Sequence, residues 1–141
     1  MQLADPSLLR RQAFIGGQWC AAASGAALEV RDPATGAPVA QVPECGAADT
    51  NDAIAAAEAA FPAWRALTAQ ERSARLECWH ALVLENVPDL ARIMTAEQGK
   101  PLAEAQGEIR YAATFIKWFA EEGKRVAGGS VPAPEAGRRI L

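Results

Sequence analysis

Histidine and cysteine are scarce in this chain, and their scarcity excludes several kinds of site. The one histidine, His80, has no second ligand at the i+3 or i+4 spacing that helical metal sites use. The three cysteines, Cys20, Cys45 and Cys78, are odd in number and form no C-x-x-C pair. They predict neither a disulfide framework nor a metal knuckle, and they favour a reducing, cytoplasmic setting.

Long apolar runs and an excess of positive charge are also lacking. No stretch approaches the roughly 18 apolar residues that span a bilayer, and residues 1–12 have neither the apolar core nor the cleavage site of a signal peptide. The formal net charge of −3 disfavours a nucleic-acid-binding surface. The sequence therefore predicts a globular domain with no membrane and no nucleic-acid partner.

Glycine-rich phosphate-binding motifs are missing as well. The sequence contains no G-x-G-x-x-G, so it carries no dinucleotide-binding fingerprint of its own. Gly99-Lys100 is similar to the end of a phosphate-binding loop, but Met94 stands where that loop needs its first glycine and Pro101 where it needs a hydroxyl. We interpret this segment as a helix end followed by the start of another helix.

The first third of the chain has the pattern of short strands after a polar arm, residues 1–12. Gly16-Gly17 lies between two short apolar segments and can adopt the positive φ angles of a tight hairpin turn. Residues 32–36, D-P-A-T-G, predict a second turn, because proline fixes φ and the aspartate and threonine side chains can bond the local backbone. We expect a small antiparallel cluster here.

Helices are predicted for the remainder. Asp49 is expected to cap the first, and Pro62 to end or kink it near Phe61. Thr68 and Glu71 form a capping box that opens the second helix. Its apolar face is predicted to comprise Leu76, Trp79, Val83 and Val87. A third helix restarts near Pro88, with Leu90, Ile93 and Met94 inward, and stops at Gly99.

A fourth helix is predicted from about Pro101 to Lys124, and it has two apolar stripes. The first stripe recurs at spacings of three and four residues and comprises Leu102, Ala105, Ile109, Ala112, Ile116 and Phe119. The second comprises Tyr111, Phe115 and Trp118. A helix with so wide an apolar sector is expected to be contacted on two sides. The first stripe is expected to pack on the first two helices, and a further strand is expected to begin at Arg139.

Few residues are candidates for chemistry. Glu104 and Glu108 share a helix face, and paired carboxylates can perform acid–base catalysis. We favour a solvated charged edge, because no histidine or lysine lies nearby in sequence as a partner. The three cysteines are interpreted as inert thiols, since none lies in the electropositive or helix-N-terminal setting that activates a thiolate.

Several segments, taken in order, resemble the aldehyde dehydrogenase superfamily over essentially the whole chain. The opening hairpin F-I-G-G-Q-W (residues 14–19) and the turn R-D-P-A-T-G (31–36) are similar to two of its motifs, with Asp32 where asparagine is usual. So are A-E-A-A-F-P-A-W (57–64) and T-A-E-Q-G-K-P (95–101). The run 111–122, Y-A-A-T-F-I-K-W-F-A-E-E, resembles the NAD(P)-dependent succinate-semialdehyde dehydrogenases in particular.

The resemblance implies an α/β fold of which this chain is the N-terminal part. Short antiparallel strands would be followed by a helical layer, and the parallel cofactor-binding sheet would be missing. Residues 13–141 would be the incomplete N-terminal part of the cofactor-binding domain.

The resemblance also implies a reaction, the oxidation of an aldehyde, with succinate semialdehyde as the expected substrate, to a carboxylic acid with NAD or NADP. In the family a cysteine thiolate attacks the carbonyl, an asparagine and a backbone amide stabilise the oxyanion, and a glutamate activates water. No segment of this chain matches those motifs, so no catalytic and no cofactor-binding residue is assigned. Tyr111 and Phe115 would line the substrate tunnel. The full-length enzyme would be a homo-oligomer, and this chain alone is expected to be inactive and to bind no cofactor.

Three interpretations stay open on the sequence alone, one of which, an unrelated small helical binding protein, requires the family resemblance to be a coincidence. In the other two, the chain is the N-terminal fragment of a longer dehydrogenase, or it is a non-catalytic interaction module that docks on such an enzyme or on itself.

Overall fold

The computed structural model describes residues 1–128, which form two strand pairs followed by four helices. The strands are β1 (Ala13–Ile15), β2 (Gln18–Cys20), β3 (Ala27–Arg31) and β4 (Pro38–Pro43), and the helices are α1 (Ala47–Ala66), α2 (Ala69–Glu85), α3 (Val87–Gln98) and α4 (Leu102–Glu122). Short 3-10 helices lie at Pro6–Leu8 and Gly123–Arg125. The predicted strand at Arg139 lies outside the described residues.

The predicted strands form two separate antiparallel pairs. β1 pairs with β2 across Gly16 and Gly17, whose φ angles of 58° and 81° confirm the predicted tight turn. β3 pairs with β4 across the D-P-A-T-G turn, where the Ala34 amide donates to Asp32 Oδ1 at 2.8 Å. The two pairs do not join into one sheet within the described part of the chain.

Helix α1 differs from the prediction at both ends. Its N-cap is Gly46, and Asp49 lies three positions further on as a buried residue whose carboxylate accepts the Gly46 amide at 2.8 Å. The prediction that Asp49 is the cap was therefore wrong, although its carboxylate still satisfies a free N–H at this helix end. Pro62 does not end the helix, which continues to Ala66.

The capping box of α2 is confirmed, but its predicted inner face is only partly correct. Thr68 Oγ1 accepts the Glu71 amide, and the Glu71 carboxylate accepts the Thr68 amide at 2.8 Å. Leu76 and Val83 are partly buried as expected, and Val87, the first residue of α3, is buried. Trp79 was predicted to face inward but is 56% exposed. The one fully buried residue of α2 is the small, polar Ser73.

Gly99 connects α3 to α4 and brings two distant motifs together. It adopts φ 74°, and its amide donates to the Thr95 carbonyl at 2.9 Å, which confirms the predicted helix end. A Cβ at this position would lie 3.0 Å from Pro33 Cγ in the β3–β4 turn. The glycine is therefore required both by its backbone conformation and by the close approach of the turn.

Helix α4 packs along α2 and α3, and near its C-terminal end Lys117 forms an ion pair with Glu77 of α2. Its buried residues are Ala105, Ala113 and Ala120, with Ile109 and Ile116 partly buried on the same side. The predicted first stripe was wrong at Leu102, Ala112 and Phe119, which are exposed. The expected packing of α4 on α1 was also wrong, because α1 contacts β1 and has no substantial contact with α4 in the described part of the chain. Alanine at the buried positions allows the helix axes to approach closely, so the bulky residues lie elsewhere.

Candidate functional site

The outer side of α4 presents an exposed aromatic face, which we define as Tyr111, Phe115, Trp118 and Phe119. These side chains are 64%, 48%, 63% and 61% exposed, respectively. Soluble proteins rarely leave a contiguous apolar patch of this kind uncovered unless it binds something. The second stripe predicted from the sequence is therefore present and is not covered by residues 1–128.

The side chains of the aromatic face contact one another along α4. Tyr111 and Phe115 are one turn apart, and their rings meet edge to face with centroids 5.0 Å apart. Further along, Phe115, Trp118 and Phe119 surround a shallow depression of about 280 Å³ together with Thr114. The face thus combines an edge-to-face aromatic pair with a concave apolar surface. Such a surface suits an apolar or weakly polar ligand, or an apolar segment of protein.

An ion-pair cluster fixes the C-terminal end of α4 against α2. Lys117 Nζ and Lys124 Nζ each lie 2.8 Å from the Glu121 carboxylate, and they lie 3.4 and 3.5 Å from Glu77 Oε1 on α2. Hydrogen bonds from Lys117 and Lys124 lower the pKa of Glu121 to about 2. The same contacts raise the pKa values of both lysines. The cluster therefore holds the helix that carries the aromatic face.

The two carboxylates near the start of α4 do not form an acid–base pair. Glu108 forms an ion pair with Lys100, which contradicts the expectation that no lysine is near enough to act as its partner. Lys100 lies between the Gly99 turn and the start of α4, and its side chain reaches Glu108 within that helix. Glu108 is therefore a partly exposed, paired residue, in agreement with a charged edge.

The cysteines of the described region lack the setting of a nucleophile. The Cys20 thiol donates to the Ala13 carbonyl at 3.6 Å, within the first hairpin. Desolvation, followed by the charges of Asp49 and Cys20, raises the pKa of Cys45, which disfavours its thiolate. Cys78 lies exposed on α2 without a basic partner among the described residues. Residues 1–128 also contain no cluster of three or more His, Cys, Asp or Glu side chains that could hold a metal ion.

Two buried aspartates, Asp49 and Asp89, connect distant segments to helix N-termini, a role that was not predicted for either residue. Asp49 Oδ1 accepts the Ala23 amide at 2.7 Å, and Asp89 Oδ2 accepts the Asp5 amide at 2.8 Å. These amides, ahead of the other hydrogen bonds, lower the pKa of each carboxyl against the opposing effect of burial. An acidic residue at the third helical position was the only local signal, and it did not identify the distant partner.

Within residues 1–128, none of the helices has the combination of length and apolar character that crossing a membrane would require.

Comparison with known proteins places this arrangement in a family. The model of the aldehyde dehydrogenase family matches residues 19–141. The glutarate-semialdehyde dehydrogenase of Pseudomonas putida is 55% identical over 141 residues, and the NADP(+) succinate-semialdehyde dehydrogenase of Escherichia coli is 54% identical over the same length. Both alignments cover 100% of this chain and 29% of the relative.

A solved structure of a succinate-semialdehyde dehydrogenase from Burkholderia pseudomallei agrees with the fold. It matches 99% of this chain with a TM-score of 0.93 and 60% sequence identity, and the match covers 29% of that chain. The protein belongs to the aldehyde dehydrogenase family, and the chain spans about 29% of the length of these relatives. The predicted fold class is confirmed: short antiparallel strands precede a helical layer, and no parallel sheet is present among residues 1–128.

Proposed function

We propose that this chain is the N-terminal part of an NAD(P)-dependent dehydrogenase that oxidises a semialdehyde, with succinate semialdehyde as the expected substrate, to the carboxylic acid. The family match and the semialdehyde dehydrogenases at 54% and 55% identity support this reaction and substrate class. In this proposal residues 1–12 are an arm, and residues 13–141 are part of the cofactor-binding domain.

The contribution of this chain to the reaction is a wall of the substrate tunnel, formed by Tyr111 and Phe115. The single observation that carries this assignment is the exposed, edge-to-face pair on the outer side of α4. The opposite side of the helix is packed through alanine, and the Lys117–Glu77 ion pair connects α4 to α2. A rigid aromatic wall of this kind would restrict the position of the aldehyde and contribute to binding without taking part in bond breaking.

The chemical groups of the reaction would come from outside this chain. The raised pKa of Cys45 and the hairpin position of Cys20 argue against either as the attacking thiolate. The nucleophile, the oxyanion donors and the dinucleotide site would lie in the longer polypeptide. We therefore propose that the 141-residue chain alone neither oxidises aldehydes nor binds the cofactor.

The experiment replaces Tyr111 with alanine in the full-length enzyme. Loss of the ring should change the KM for aldehydes, and the preference among semialdehydes of different length, more than the KM for NAD or NADP. The matched control is Phe61→Ala, because Phe61 is an exposed aromatic residue on α1, outside the aromatic face. The assignment is wrong if Tyr111→Ala alters only cofactor binding, or if Phe61→Ala has the same effect on the aldehydes.

A further inference from the structure

The N-terminal segment, residues 1–12, forms one wall of a cleft of about 700 Å³. Leu9 and Arg11 line the cleft from this segment, and Val39, Thr95 and Leu102 line it from β4, α3 and α4. Thr95 Oγ1 is buried and has no hydrogen-bond partner among the described residues. Displacing the segment would therefore remove one wall of the cleft, which is otherwise lined largely by apolar side chains and by Thr95.

The segment makes polar or cation–π contacts near both of its ends, and Leu8 and Leu9 between them are partly buried. Near its start, the Asp5 amide donates to Asp89 Oδ2 at 2.8 Å. Near its end, the Arg10 guanidinium lies 4.8 Å from the centre of the Trp19 ring. The 3-10 helix between them, Pro6–Leu8, contains no buried residue. The polar and cation–π contacts therefore supplement a partial burial of leucine side chains in holding the segment on the domain.

Asp89 is positioned for this role by its own helix. It is the third residue of α3 and is only 4% exposed, and Arg92 Nη1 donates to its other carboxylate oxygen at 2.7 Å. The ion pair keeps the carboxylate charged and directs the second oxygen toward the Asp5 amide. A hydrogen bond to a charged acceptor is stronger than one between neutral groups, so the contact with Asp89 is expected to contribute most of the polar attachment near the start of the segment.

We propose that residues 1–12 form a strap that completes one wall of this cleft, and that Asp89 is the positioning residue that latches the strap in place. For the strap to open, the hydrogen bond between Asp5 and Asp89 must break. The packing of α3 and of β4 is expected to stay unchanged. The proposal does not rest on the dehydrogenase activity.

The test is hydrogen–deuterium exchange on the full-length protein with Asp89→Ala. The exchange rate of the Asp5 amide should rise roughly ten- to a hundredfold, as expected when a hydrogen bond to a charged acceptor is lost. Tryptic cleavage after Arg10 and Arg11 should become faster in parallel. A cysteine introduced by Ala96→Cys should also be labelled faster by a thiol reagent when Asp89 is replaced, because Ala96 lines the cleft. The label is measured on the proteolytic peptide that contains residue 96, so that the other cysteines do not contribute.

Two variants decide between a latch and a general loss of stability. Asp49→Ala is the matched control, because Asp49 is also a buried third residue of its helix but binds the Ala23 amide. It should leave exchange of residues 1–12 unchanged. Asp89→Asn keeps an acceptor oxygen and should restore part of the protection even if Asp89→Ala does not fold. The proposal is overturned if Asp89→Ala exchanges like the wild type at the Asp5 amide, if the loss of protection in Asp89→Asn extends through α3 and is not confined to residues 1–12, or if Asp49→Ala releases the segment equally.

Discussion

Replacing Trp118 with lysine should have opposite effects in the isolated 141-residue chain and in the full-length enzyme. The four residues of the aromatic face are about three-fifths exposed. Full burial of such side chains contributes roughly 1.5–3 kcal/mol each, so covering the exposed parts would contribute about 4–7 kcal/mol in total. That sum is comparable to the whole stability of a small domain, about 5–15 kcal/mol. We therefore expect the isolated chain to be marginally folded, to bind a dye for apolar surfaces and to self-associate.

In the isolated chain, Trp118→Lys should lower dye binding and shift the chain toward monomer, as measured by fluorescence and analytical ultracentrifugation. In the full-length enzyme the same lysine would be placed in an apolar contact and should destabilise the protein by about 2 kcal/mol or more in chemical denaturation. Ala81→Lys is the matched control, because it adds the same charge at an exposed position of α2. The reasoning fails if the isolated chain is a dye-silent monomer with a sharp thermal transition, or if Trp118→Lys leaves the full-length enzyme unaffected.

Three further outcomes are expected. The isolated chain should show no aldehyde oxidation with NAD or NADP, and turnover that Cys78→Ala abolishes would contradict this. Gly99→Ala should lower the free energy of unfolding of the full-length enzyme by about 1–2 kcal/mol, because alanine is strained at φ 74° and its Cβ would approach Pro33; unchanged denaturation would contradict this. The stabilisation from Glu121, whose pKa falls to about 2, should be fully present above about pH 4.5 and lost as the pH falls through about 2. Urea denaturation of Glu121→Gln across this range, with and without salt, should show a smaller pH dependence than the wild type, and an equal dependence would contradict the assignment.

Features whose partners lie within a few residues could be predicted from the sequence. The capping box at Thr68 and the left-handed Gly99 are confirmed, because each depends on a hydrogen bond within one helical turn. The turn at Gly16 is also confirmed, because it depends on the positive φ angles of two adjacent glycines. The contact from Asp89 to Asp5 spans 84 residues, and nothing in either local sequence identifies the other. Long-range polar contacts of this kind require the fold to be known first.

The face of α4 that packs could not be predicted from hydrophobicity alone. Both sides of the helix are apolar, and the predicted stripe was correct at Ala105, but it included the exposed Leu102 and Phe119. The structure instead buries Ala113 and Ala120, which the stripe left out. A small side chain contributes less hydrophobic free energy when it is buried, but it allows two helices to come into close contact. The dispersion energy gained from this close packing does not appear in a hydrophobicity pattern. Tertiary packing, and not the local pattern, decided between the two sides.

The division of α4 into an alanine side and an aromatic side has a consequence for how the enzyme can vary. The alanine side fixes the helix on α2 and α3, and the ion pairs of Lys117 fix its end, so the position of the backbone does not depend on the aromatic residues. Under the proposed function, the aromatic side contacts the substrate or the rest of the enzyme. Substitutions of Tyr111 should therefore alter substrate preference with little effect on how α4 packs, whereas substitutions of Ala113 should alter that packing first. Stability within this layer and specificity toward the aldehyde would thus be carried by opposite sides of the same helix.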